Sequence, residues 1–362
     1  YMEIGFPPAA KSQSTISSHS SEAQLLKEWL SFAIAIYDEY PNAYDYVAGR
    51  LYAEYVPFRN YYYQSNFYHQ GTSYGSYRFG FDLMSDKLIY TITGKHLYDE
   101  NIQNVVTSFA YCIRADGNLI RMGDDGKQQR FLGLSDCALM TAGMYKNGYA
   151  QSVAREYYYY DCSDGHNLSS VEFLIFNDPT VEELPLETLP LVSYNGTPLG
   201  QMIARTGWER KNVASDDIIV LMKIGETYVT NHDHYDSGSF QIYYKGSLAI
   251  DSGSKDSSSY MKRTVAHNAL LVFRERDLTD KNYGGQHTFD SECQTWGEWK
   301  KDKFRKPNRV KAHDSLESDG KLEYAYIAGK IAAYPKAAVT EYYRHMMFVP
   351  TDDENTPGLF FV

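Results

Sequence analysis

The spacing of hydrophobic residues changes character once along this chain, and that change limits the folds open to it. From about residue 18 to about residue 165, apolar residues recur three and four apart, the period of a helix with one buried face. Leu25, Leu26, Trp29, Leu30, Phe32, Ala33, Ile34 and Ile36 set the pattern, which returns over 43–56, 79–92 and 105–113. Pro41, Pro57, Gly71, Gly94 and Asp116-Gly117 fall between these segments, so the expectation is a series of helices with short links. Successive helices with no strand signal between them predict stacked helical hairpins, in a bundle or a toroid. After Asn177-Asp178-Pro179 the helical period is lost. Pro179, Pro185 and Pro190 punctuate the chain there, and 181–194 reads as a linker. Beyond it come short β-rich runs at 218–222, 228–230, 240–244, 247–250 and 269–273, with Lys245-Gly246 as a hairpin turn. The closing Leu359-Phe360-Phe361-Val362 reads as a strand cut short, and the opening Tyr1-Met2-Glu3-Ile4 as a start in mid-chain. Helices followed by strands predict a multidomain α and β protein, with a helical domain over 1–178 and an antiparallel β-sandwich over 179–362.

Composition excludes several classes. A net charge of -11 argues against nucleic-acid binding, whose affinity rests on neutralising phosphates. For the same reason, any acidic partner must be held by cations gathered locally. No apolar run is long enough to span a membrane. Four scattered cysteines, Cys112, Cys137, Cys162 and Cys293, do not make a disulfide framework or a paired zinc motif. The 34 tyrosines combine an apolar face with a hydroxyl, which suits sugar rings and equally suits helix packing.

Three constellations could carry chemistry. In Asn231-His232-Asp233-His234, residues two apart on extended backbone project to one face, so His232 and His234 could be metal ligands, or a base beside a ligand. Imidazole with carboxylate suits a divalent ion of the zinc type, and Asp251 and His267 are the candidates to complete the set. A His-Asp hydrogen-bond network without metal would use the same residues. His19 and Glu22, three apart at a helix start, share a face, although Ser21 with Gln24 also fits a capping box. Tyr68-His69-Gln70-Gly71-Thr72-Ser73-Tyr74 enters the 79–92 helix with Arg78 one turn on, and a nearby arginine can stabilise a tyrosine phenolate.

These constellations occur in an order that resembles the heparinase II/III family of polysaccharide lyases, most of all its heparinase II branch. The resemblance rests on Asn231-His232-Asp233-His234 followed by Gly238-Ser239-Phe240-Gln241-Ile242-Tyr243-Tyr244 and Ile250-Asp251-Ser252-Gly253. It is carried further by Lys262-Arg263-Thr264-Val265-Ala266-His267-Asn268, Gly284-Gly285-Gln286, Met202-Ile203-Ala204-Arg205-Thr206-Gly207-Trp208 and the Tyr68–Tyr74 stretch. It implies a partial (α/α) toroid followed by an antiparallel β-sandwich, and cleavage of uronate-containing glycosaminoglycans, heparin or heparan sulfate foremost, by β-elimination. It further implies Tyr74 as general acid/base, His232 as second base, and His19 and Glu22 at the uronate carboxylate. Arg78, Asn231 and Tyr260 would meet substrate, and His234, Asp251 and His267 would hold one structural zinc ion. Periplasmic or secreted localisation follows from the resemblance, which also admits a homodimer. The short stretch from Ser252 to Tyr260 departs from the family pattern and puts the particular uronan in doubt. Chondroitin or alginate lyase action, or a catalytically inactive carbohydrate-binding relative, are the alternatives.

Overall fold

A computed structural model describes residues 21–124, 134–159, 168–229, 232–252, 262–273, 284–287, 293, 295–336 and 338–362. The first portion is helical: α1 (Ser21–Ala35), α2 (Pro41–Arg50), α3 (Val56–Tyr63), α4 (Gly71–Thr93), α5 (Val105–Ala110), α6 (Ser135–Tyr145), α7 (Gly148–Val153) and α8 (Ser170–Phe176). Helix α1 packs on α2 and α4, and α4 on α6. The expected apolar stripe is the buried one: Leu26, Leu30 and Ala33 are inside, while Phe32 lies on the outer face.

Two helix boundaries differ from expectation. Pro57 does not separate helices. The backbone stays helical from α2 through a π turn, Leu51–Tyr55, in which the N–H of Val56 reaches back to Leu51 O. Pro57 then falls in the first turn of α3, where the missing N–H and the fixed φ are tolerated. Helix α4 begins at Gly71, two turns before the expected start, and so carries Tyr74 and Arg78 on one face. Gly71 has φ +79°, and a Cβ there would lie 1.9 Å from Met122 O, so no other residue fits that start.

Many tyrosines fill this helical core. Tyr62, Tyr63 and Tyr98 surround the buried Asp82, with the Tyr63 hydroxyl donating to its Oδ2 at 2.7 Å and Arg59 Nε 3.4 Å from Oδ1. A buried carboxylate needs such partners, since leaving it unpaired is expensive.

Two antiparallel sheets follow. The first orders β1 (Val192–Asn195), β2 (Gln201–Arg205), β3 (Ile218–Lys223), β4 (Phe240–Tyr244) and β5 (Ser247–Ala249) in sequence. The second orders β6 (Arg309–Ser318), β7 (Lys321–Lys330), β8 (Tyr343–Asp353) and β9 (Thr356–Phe361), with a short helix α9 (Trp296–Lys301) before it. Side chains of the sheets meet: β2 packs against β7, and the Phe240 and Phe360 rings are 4.7 Å apart. The expected linker ends in a strand, because Val192 to Asn195 pair with β2. The Lys245-Gly246 turn joins β4 to β5 as expected, with Tyr244 N donating to Gly246 O. The 269–273 run is not a strand; its Val272 N–H bonds Gly284 O, and Leu270 and Phe273 are exposed. Tyr228 and Val229 are likewise outside any strand, and Thr230 lies outside the described residues.

The helical and sheet portions are joined by buried polar contacts. Arg205 of β2, fully buried, donates to Tyr111 O at 3.0 Å and Ile113 O at 2.5 Å. Asn195 donates to Ser65 O at 3.1 Å. The candidate site lies along this junction.

Candidate functional site

The segment 232–239 leads into β4 as a loop rather than an extended strand. His232 and His234 nonetheless face one side, because a single carboxylate receives both. Asp124 Oδ2 lies 2.6 Å from His232 Nδ1, and its Oδ1 lies 3.0 Å from His234 Nε2. Lys262 Nζ adds a third contact to Oδ2 at 2.8 Å. Burial opposes the charge on Asp124, but hydrogen bonds from His232, His234 and Lys262 outweigh it and hold the carboxyl well below its usual range. Sequence reading did not single out Asp124, one acid among 46 with no periodic pattern to mark it.

His232 sits between this carboxylate and the helical residues. Its ring stacks on Tyr74 with centroids 3.9 Å apart and planes at 25°. Arg78 Nη2 is 3.2 Å from its Nε2, and the Arg78 guanidinium lies 4.0 Å from the Tyr74 ring centre. Arginine can only donate, so Nε2 of His232 accepts and the proton resides on Nδ1, facing Asp124. Burial lowers the imidazole's pKa to about 4 despite the Asp124 hydrogen bond, so the ring is neutral near pH 7. Arg78, expected to meet substrate, is only 1% exposed, with Nη1 donating to Gln70 Oε1 at 2.6 Å.

The expected metal ligands also converge. His234, Asp251 and His267 each offer a ligand atom within 4.8 Å of the others. Asp251 follows β5, and its neighbour Ser252 donates from its backbone to Ala266 O, which brings His267 alongside. His267 Nδ1 lies 2.9 Å from Asp251 Oδ1. With His234 Nε2 turned to Asp124 and His267 Nδ1 to Asp251, the opposite nitrogens remain. His234 Nδ1 and His267 Nε2 are buried, and among the described residues neither has a hydrogen-bond partner. Two buried imidazole lone pairs beside a carboxylate are a donor set that fits a zinc-type ion. The Asp124–His234 contact is the outer carboxylate that commonly orients a ligating imidazole.

Four expected site residues are not brought in at this level. His19, Asn231 and Tyr260 lie outside the described residues, and Glu22 is placed only as part of α1.

No protein-family model matches the chain, and no curated protein matches it. Solved structures do. A structure of heparinase III aligns at TM-score 0.54 and 12% identity, covering 91% of this chain and 42% of that one. A second structure of heparinase III gives 0.54 and 11%, over 91% and 44%. The heparan sulfate lyase HepC from Pedobacter heparinus gives 0.55 and 12%, over 91% and 43%. The chain therefore spans less than half the length of the structures it matches. At these identities the similarity is one of fold, and the fold is heparinase-like.

Proposed function

We propose that this chain carries the catalytic centre of a polysaccharide lyase that cleaves uronate-containing glycosaminoglycans by β-elimination, with heparan sulfate and heparin the first substrates to test. The observation that carries the reading is the stacking of Tyr74 on His232 across the junction of the helical and sheet portions, with Arg78 touching both. The heparinase-like fold supports it.

β-Elimination removes the proton from C5 of a uronate and expels the glycosidic oxygen on C4. Charge then spreads onto the carboxylate, so groups that neutralise it lower the barrier most. His19 and Glu22 are proposed for that task, Glu22 acting as a neutral acid that shares a hydrogen bond with the carboxylate. Tyr74 would take the C5 proton as phenolate, or give one to the leaving oxygen as phenol, with the Arg78 guanidinium packed against its ring. His232, neutral and with its Nδ1 proton held by Asp124, could accept a proton at Nε2 in exchange for the Arg78 hydrogen bond. With Tyr74 and His232 in contact, the site would offer two bases to the C5 proton, and the resemblance to the heparinase II branch suggests a range that covers both uronate epimers. His234, Asp251 and His267 would hold a zinc ion whose contribution is to cross-link the loops around His232. The division at residues 178 and 179, a toroidal arrangement of the helices, and periplasmic or secreted localisation belong to the same proposal.

The test is the ultraviolet absorbance of the 4,5-unsaturated product, compared between the protein and Tyr74→Phe. A rise with a uronan that is lost in the variant supports the assignment; equal rates in both would remove Tyr74 from it.

A further inference from the structure

Asp124 belongs to the helical portion in sequence, yet the three side chains that bond it among the described residues come from beyond residue 230. Its two oxygens are divided: Oδ2 takes His232, the candidate base, at 2.6 Å, and Oδ1 takes His234, a candidate metal ligand, at 3.0 Å. The backbone fixes this arrangement. Asp124 N donates to His232 O at 3.2 Å, and Gly123, at φ +70°, brings its Cα so close that a Cβ would lie 2.8 Å from His232 O and 2.9 Å from Gln70 O. Gln70 in turn accepts from Arg78. The Gly123-Asp124 step is thus wedged between the start of the Tyr74 helix and the histidine loop.

We propose that Asp124 is a positioning residue that couples the metal-ligand cluster to His232, so that filling the His234–Asp251–His267 site fixes the tautomer and seating of the base opposite Tyr74. This rests on the lyase reading only for what the base then does. The coupling follows from the chemistry of a carboxylate. Each oxygen accepts a ring N–H from a different imidazole, which leaves His234 Nδ1 as the lone pair for metal and His232 Nε2 as the lone pair for proton transfer. Asparagine keeps the shape but offers one acceptor oxygen, so it cannot hold both rings in these tautomers. Glutamate would need room for a further methylene where the backbone already touches His232.

The experiment uses the full chain with zinc ion alone, titrated by competition with a chromogenic chelator, and turnover measured in parallel. Asp124→Asn should weaken zinc binding by about 10- to 100-fold and lower kcat by a similar factor, with KM changed much less. Unchanged zinc affinity overturns the proposal, whatever happens to kcat. Weakened zinc binding with wild-type kcat also overturns it, because the carboxylate would then serve the metal alone. A second measurement needs no variant: nitrogen NMR of the His232 ring in the wild-type protein, with and without zinc. Zinc should sharpen the ring into the Nδ1-protonated tautomer, and a ring indifferent to zinc counts against coupling. If the wild type cleaves no uronan, the lyase reading fails, while the zinc affinity and the ring tautomer still decide whether Asp124 couples the two.

Discussion

Two of the buried carboxylates, Asp82 amid tyrosine and arginine and Asp124 amid histidine, lead to different conclusions. Asp82 lies within the helical portion, and the partners found for it, Arg59, Tyr62, Tyr63 and Tyr98, come from that same portion. Asp124 lies at the junction, and its partners arrive from the sheet portion. Around Asp82 the polar groups close a packed core. Around Asp124 two neighbouring imidazoles, His234 and His267, each keep a buried nitrogen with no hydrogen-bond partner among the described residues. Imidazole lone pairs left over beside a carboxylate are prepared for a ligand, whereas the side chains that bond Asp82 are donors turned to its oxygens. The difference marks the Asp124 cluster as the candidate site on geometry alone.

Substitutions can sharpen or break that contrast. The largest effect belongs at the junction: Tyr74→Phe should lower kcat by about 10²–10⁴-fold, the usual contribution of a general acid or base, with the melting temperature little changed. The product's absorbance and a thermal melt check the two halves of that statement. In the helical core, Asp82→Ala leaves Arg59 buried without its carboxylate, and should cost about 3–5 kcal/mol by denaturant titration while kcat of the folded fraction stays near wild type. A large loss of kcat there would erase the distinction. Removing zinc with a chelator should lower the melting temperature, since an ion at about 100 to 1,000 times its Kd contributes roughly 3–4 kcal/mol. Turnover below the melting point should fall together with the melting temperature, because the loops that seat His232 loosen; immediate loss of activity with an unchanged melt would make the ion catalytic. The smallest effect is Gly123→Ala, which strains a left-handed backbone position and pushes a Cβ against His232 O, for about 1–3 kcal/mol and a kcat loss larger than that of Asp82→Ala.

The same contrast explains what could be read from sequence. Helical period carried α1 and the buried Leu26, Leu30 and Ala33, and the β-rich runs flanking Lys245-Gly246 carried the β4–β5 hairpin, because both are local patterns. Residue type alone offers His232, His234, Asp251 and His267 as possible ligands; the set His234, Asp251 and His267 is what the resemblance implies, and the geometry brings those three together. Pro57 misled because a π turn before it absorbs the break, which depends on packing rather than on the residue itself. The 269–273 run misled because apolar residues make a strand only where a sheet edge receives them. Asp124 was invisible for a plainer reason: it acts across 108 residues on His232 and 110 on His234, and nothing in its neighbourhood announces a partner that distant.

The measurement that bears most directly on the central claim is the ultraviolet absorbance of unsaturated uronate when the zinc-loaded protein is given heparan sulfate, heparin, chondroitin sulfate, hyaluronan and alginate in turn. The account predicts a steady rise with at least one of them, heparan sulfate or heparin foremost. A flat trace on all five, from folded protein with zinc bound, would contradict it.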